Sequence, residues 1–211
     1  MSDYKSYLHS EYYFDPMTKL AMGLGVFVLG GVLGFIYSSI FYWANSGFLT
    51  FYWRTGTFGP WSDAYSIIAL LLFLFLRRLR KYPVAAILIG TVICTVVQAM
   101  LGLGLYYFGN GMRAWNYNLE ILNFGNFGGF ICLRSVIEFM IFTILIMYVI
   151  APLVYHMACA MSKGAFVTLW LIIGSVCAAD IIYNNVLCVL IPSLKNASDV
   201  YKAAGMRFMT F

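Results

Sequence analysis

Apolar and polar positions separate cleanly along the chain. Long apolar runs cover residues 19–43, 62–76, 84–108, 131–155 and 165–191, and the polar residues gather between them. A helical span needs about 20 apolar residues. The pattern therefore predicts an all-α, polytopic integral membrane protein with about five transmembrane helices and aromatic interfacial loops. One membrane domain, 1–211, is expected, with an N-terminal tail over 1–18 and a C-terminal tail over 192–211. The second run, at about 15 residues, is short for a span. The aromatic segment before it, FLTFYWRTGTFGPW over 48–61, is therefore expected to lie partly in the membrane. Residues 109–130 are less apolar and rich in Asn and Gly, with Trp115 and Tyr117. They read as an interfacial segment that lies flat or re-enters.

The first run carries Gly23, Gly25, Gly30, Gly31 and Gly34. Gly30 and Gly34 have the spacing that lets a neighbouring helix come close; packing within the chain is the expected use. The run ends in Tyr42 and Trp43, suited to a membrane–water interface. The polar first 16 residues do not read as a signal peptide, because the apolar run after them is too long for a signal core.

Composition narrows the function classes. Apolar residues make up 63% of the 211, aromatic residues 18% and charged residues 10%. Soluble domains carry roughly a quarter charged residues, so a soluble fold is excluded, and the charge is too sparse for a disordered chain. No room is left for a soluble catalytic domain or an attached ATPase. No phosphate-binding loop, HExxH or GxSxG motif occurs. The five Cys show no metal or redox spacing and read as small hydrophobes. No cofactor, metal or catalytic residue is expected.

The formal net charge of +5, from 13 Lys+Arg against 8 Asp+Glu, bears on topology and anionic lipid before nucleic acid. Arg77, Arg78, Arg80 and Lys81 crowd one short loop. Basic short loops stay cytoplasmic, which places the N-terminus inside and the C-terminus outside, in what is read as a bacterial cell membrane.

Ionisable groups within spans are costly and each is a functional candidate. Asp63 opens the second run, as a helix cap or a site residue. Arg134 and Glu138 are four residues apart and are expected to pair along one helix face. Asp180 sits near the middle of the fifth run, with Asn184 one turn on and Cys177 one turn before. It is expected either in a hydrogen-bonded network with Gln98 or Asn184 or exposed to water and a cation. Thr91, Thr95 and Gln98 share a face of the third run. With Arg54, these residues (Asp63, Gln98, Arg134, Glu138, Asp180 and Asn184) outline a candidate polar cavity open to the outside. An acid with a purely structural role at 180 is expected to tolerate Asn.

Two segments carry a family resemblance. Arg54, Gly59, Pro60 and Tyr65 in RTGTFGPWSDAY, and WNYNLEILNFGNFGGFICLRSVIEF from Trp115 followed by YVIAPLV, resemble signatures of the putative ABC-transporter type IV family of CmpB-like membrane proteins. Asp180 falls where that family often has an acid. The likeness covers roughly residues 30–190. It departs at Ser38, Asn116, Phe130 and Ala151, where the family commonly has an acid, Asp, Arg and His. The resemblance implies a permease-type, non-enzymatic transporter subunit with a separate ATPase and a homo-oligomeric or membrane-protein partner. The alternative is a non-transporting accessory or assembly subunit that binds another membrane protein. An intramembrane enzyme using Asp63 or Asp180 is the third reading.

Overall fold

The computed structural model describes residues 14–45, 56–108, 111, 115–120, 122–191 and 193–205. Among them, regular structure is helical throughout, apart from an isolated bridge between Phe127 and Ile131. Helix α1 is Pro16–Asn45, α2 Asp63–Leu76, α3 Pro83–Phe108, α4 Leu133–Ala160, α5 Lys163–Leu190 and α6 Ala197–Ala203. Four of them, α1, α3, α4 and α5, are long and apolar enough to cross a membrane. The all-α polytopic membrane class read from the sequence holds. Helix α2 has 14 residues. At 1.5 Å per residue it is about 21 Å long, short of the ~30 Å hydrocarbon layer.

The chain forms two compact units. One is built from the described residues of Met1–Phe75 and Ile146–Met209, the other from Leu76–Leu145. Helix α4 contributes a half to each, and a π-helical turn, Ile146–Ile150, lies where the halves meet. Pro152 follows after one intervening residue; its missing N–H removes a helical hydrogen bond and its ring crowds the preceding turn, a common cause of such irregularity.

In the first unit α1 and α5 run parallel. Asp15 begins α1: its carboxylate accepts from the amides of Met17 and Thr18 and from the Thr18 hydroxyl. It also meets Lys163 Nζ, at the start of α5, at 3.2 Å. The Thr18 hydroxyl, with help from Lys163, holds the Asp15 carboxyl down at about 2. The two helices then pack side by side, Gly25 against Trp170 and Gly174 against Leu24.

Helix α2 runs the opposite way along the glycine face of α1. Tyr65 covers Gly34, Ala69 covers Gly30 and Leu70 lies beside Gly23. The amide of Ser62 donates to the carbonyl of Gly31 at 2.9 Å. Gly31 is about 22 Å along α1 from Pro16, near its midpoint. Helix α2 thus starts halfway up α1 and descends to its lower end, which is why 14 residues suffice. The segment leading into it, 56–62, lies at mid-height in the bundle.

In the second unit α3 packs along the first half of α4. Gly90 lies against Thr143 at one end, and Gly102 lies against Trp115 and Phe130 at the other. In the Asn-rich segment between them, the described residues 115–120 and 122–132 form closed turns. Asn116 accepts from the Asn118 amide, Asn126 accepts from the Gly129 amide, and Asn126 Nδ2 donates to Asn118. Gly125, Gly128 and Gly129 adopt positive φ, where a side chain would be strained.

A Cβ at Gly30 would collide with that of Ala69, whereas one at Gly104 would meet nothing. Gly30→Val should therefore destabilise the detergent-solubilised protein by about 1–3 kcal/mol through overpacking, with Gly104→Ala close to wild type. Thermal unfolding checks this; equal stability of the two variants would refute the α1–α2 contact.

Candidate functional site

The polar residues separate into two clusters, one within each unit. Asp180 is the hub of the first. Its Oδ1 accepts from the Phe58 amide at 3.0 Å and from Asn184 Nδ2 at 2.7 Å. Its Oδ2 accepts from the Gly59 amide at 2.8 Å and from Trp61 Nε1 at 2.9 Å. Four donors fill the carboxylate, three of them from the segment that descends to mid-height.

Residues 56–62 end in a Gly59-Pro60 turn and cannot pair their amides as a helix does. Non-helical backbone at membrane depth must find partners in protein or in a water-lined cavity. Here Asp180 supplies the acceptors. Thr57 closes the same turn, its hydroxyl donating to the carbonyl of Trp61 at 2.7 Å.

Asn184 extends the network. Its Nδ2 also donates to the Asp180 carbonyl, and its Oδ1 accepts from the Ala197 amide at 2.7 Å. Asn184 lies in a π-helical turn, Tyr183–Leu187, a local rewinding that changes which side chains face inward. Tyr183 donates to the Lys195 carbonyl, Tyr201 of α6 donates to the Phe58 carbonyl, and the Phe58 ring packs on both tyrosines. One carboxylate and one amide thus tie the descending segment and the residues after α5 to the same helix. Asp63 stands apart from the hub. It is the first residue of α2, and its Oδ1 accepts from the Ala64 amide at 2.7 Å, favourable at a helix N-terminus.

The second cluster is built on Arg134, near the start of α4. The structure corrects the expected pairing here: Arg134 forms its ion pair with Glu120 rather than with Glu138. The physical reason is the closed-turn segment, which brings Glu120 over the helix start. There both side chains are nearly buried, 11% and 3% exposed. Arg134 also lies over the Tyr117 ring, 5.1 Å from its centroid, a cation–π contact. Gln98 Nε2 donates to the Tyr117 hydroxyl, and burial pushes that hydroxyl up to about 12. Leaving either partner of a buried ion pair uncompensated costs about 3–5 kcal/mol.

Gln98 is therefore placed with Tyr117, and the Asp180 network runs through Asn184. Thr91 and Thr95 donate to carbonyls of their own helix, at Ile87 and Thr91. Glu138 is half-buried in α4. Arg54 lies outside the described residues. Sequence reasoning missed Glu120, Tyr117 and Trp61. The signal that could have exposed Glu120 is its position as the lone acid of 109–130, ahead of an arginine in the next apolar run. Among the described residues, no group of His, Cys, Asp and Glu is arranged to hold a metal ion.

A protein-family model described as putative ABC-transporter type IV matches residues 25–184. No curated protein and no solved structure gives a significant match.

The geometry changes what Asp180→Asn should do. An Asn can accept with one oxygen only, so its amide nitrogen would face two N–H donors. Each buried group left unsatisfied costs about 1–3 kcal/mol. Asp180→Asn should lower thermal stability by about 2 kcal/mol or more, while Asp63→Asn, which keeps its acceptor, stays within about 0.5 kcal/mol of wild type. Wild-type stability of Asp180→Asn would contradict the hub.

Proposed function

From the premise that this chain belongs to the putative ABC-transporter type IV family, we propose that it is the membrane-embedded, permease-type subunit of a transporter. It takes a small polar substrate from an outward-facing vestibule, and a separate cytoplasmic ATPase supplies the energy. The observation that supports this reading most is the interruption at 56–62. Non-helical backbone and the N-terminus of a half-length helix stand midway along helices long enough to span a membrane. Transporters place their substrate sites at such breaks, where half-helix ends and unwound backbone offer hydrogen-bonding groups. The chain lacks a nucleotide-binding motif, so coupling to ATP requires another subunit. With few spans of its own, the pathway is completed by a second copy or a partner membrane protein. The N-terminus and the Arg77–Lys81 turn face the cytoplasm in this scheme, and the C-terminus faces outside.

Candidate substrate contacts lie in each unit by itself: Asp63, Asp180 and Asn184 in the first, and Gln98, Arg134 and Glu138 in the second; Arg54, outside the described residues, is the seventh. Asp180 and Asn184 hold the break in place. Gln98 keeps a buried amide oxygen, Oε1, with no donor among the described residues, so it is the better placed to take one from a substrate. A second reading has its own support. Asp180 is fully engaged within the chain, as in a protein whose polar groups serve assembly rather than transport. On that reading the protein is an accessory subunit for another membrane protein.

Purification from native membranes in mild detergent separates the two. The transporter reading expects a nucleotide-hydrolysing subunit to co-purify, with hydrolysis that Gln98→Leu alters while the complex stays intact. Recovery of a helical membrane partner without ATP hydrolysis would favour the accessory reading.

A further inference from the structure

The turn between α2 and α3 carries a second feature. Residues 77–82 turn the chain tightly, with the Leu79 amide donating to the Leu76 carbonyl and the Tyr82 amide to the Leu79 carbonyl. Its four cations are not equivalent. Arg80 is buried, 1% exposed, whereas Arg78 and Lys81 are exposed. Neither exposed cation forms an ion pair among the described residues, and no acid occurs between 64 and 119. Lys81 Nζ sits 5.0 Å above the Tyr82 ring.

Beside Lys81 lies an open groove of about 490 Å³, lined by Lys81, Tyr82, Pro83, Val84, Ala85 and Leu88. Its walls are apolar beyond the lysine. Val84 and Leu88, one helical turn apart, are 70% and 60% exposed. Pro83 opens α3, and the first bond into the helix is from the Ala86 amide to the Tyr82 carbonyl. The positive end of the helix therefore adds to the charge at the mouth of the groove.

A charged rim and an apolar floor that continues down a membrane helix match one occupant. We propose that this groove binds an anionic phospholipid of the bilayer. The phosphate sits against Lys81 at the mouth of the groove, with the exposed Arg78 of the same turn adding to the positive field, and the glycerol and first acyl carbons lie on Tyr82, Val84 and Leu88. Charge complementarity selects the headgroup, since lysine and arginine at a bilayer surface attract anionic lipid. The exposed apolar turn of α3 selects a lipid over a soluble anion. The inference does not depend on the transport reading, because the groove lies wholly within the second unit and uses none of the candidate substrate contacts.

The test is native mass spectrometry of the full chain in detergent, titrated with phosphatidylglycerol or phosphatidylcholine. One phosphatidylglycerol should bind per chain in preference to phosphatidylcholine. Arg78→Gln/Lys81→Gln should weaken it on the order of tenfold. Lys195→Gln/Lys202→Gln, which removes equal charge elsewhere, should leave it unchanged. Val84→Asp, with both cations intact, should also weaken binding by placing a carboxylate in the groove. Inorganic phosphate at the same concentration should not displace the lipid. Equal binding of the two lipids, preference kept in Arg78→Gln/Lys81→Gln, or displacement by inorganic phosphate would each overturn the proposal. So would loss of a co-purifying ATPase from that double variant with lipid binding intact, which would make the turn a protein dock.

Discussion

A backbone amide inside an apolar bundle needs an acceptor, and the arrangement of the first unit follows from how that need is met. The chain enters at 56–62 without helical hydrogen bonds, midway along α1. The amides of Phe58 and Gly59 and the indole N–H of Trp61 would otherwise lack an acceptor from the helices around them. Asp180 takes all three, and Asn184 fills its remaining position. The same Asn184 receives the Ala197 amide. An acid in the middle of an apolar helix thus serves as the acceptor for a segment far away in sequence, while its neighbour Asn184 accepts from the residues after α5.

Glycine makes that entry possible. Helix α2 can start at mid-height only if it lies close against α1, and Gly30, Gly31 and Gly34 remove the side chains that would hold it off. The Ser62 amide then reaches the Gly31 carbonyl directly. The second unit solves a similar problem differently. Its non-helical segment closes on itself through Asn116, Asn126 and three positive-φ glycines, and delivers Glu120 to Arg134.

Fold class was legible because the apolar runs are long and the charges between them few, so length alone separates a spanning helix from other uses. The shortness of 62–76 and the aromatic character of the segment before it raised the expectation of a loop partly in the membrane; its described part, 56–62, stands beside the middle of α1. Asp180 stood out as an acid in an apolar run, and Asn184 was readable as its neighbour one turn away. Its other partners were not readable, because Phe58 and Gly59 contribute main-chain amides that have no signature in the sequence. The Arg134 partner was misread for a related reason. Helical spacing favours Glu138, but turn geometry over 115–132 decides the contact, and tertiary placement outweighs spacing there. Arg80 is a third case: the four clustered cations read together as a topology signal, and nothing in the sequence marks Arg80 as the one turned inward.

The central claim is that Asp180 holds non-helical backbone at mid-height. Hydrogen–deuterium exchange of the chain in lipid nanodiscs, resolved to single amides, tests it most directly. The amides of Phe58 and Gly59 should exchange slowly in the wild type. Asp180→Asn, which keeps one accepting oxygen, should release at least one of the two while the amides in the middle of α1 stay protected. Rapid exchange of Phe58 and Gly59 in the wild type, or protection unchanged in Asp180→Asn, would contradict the account.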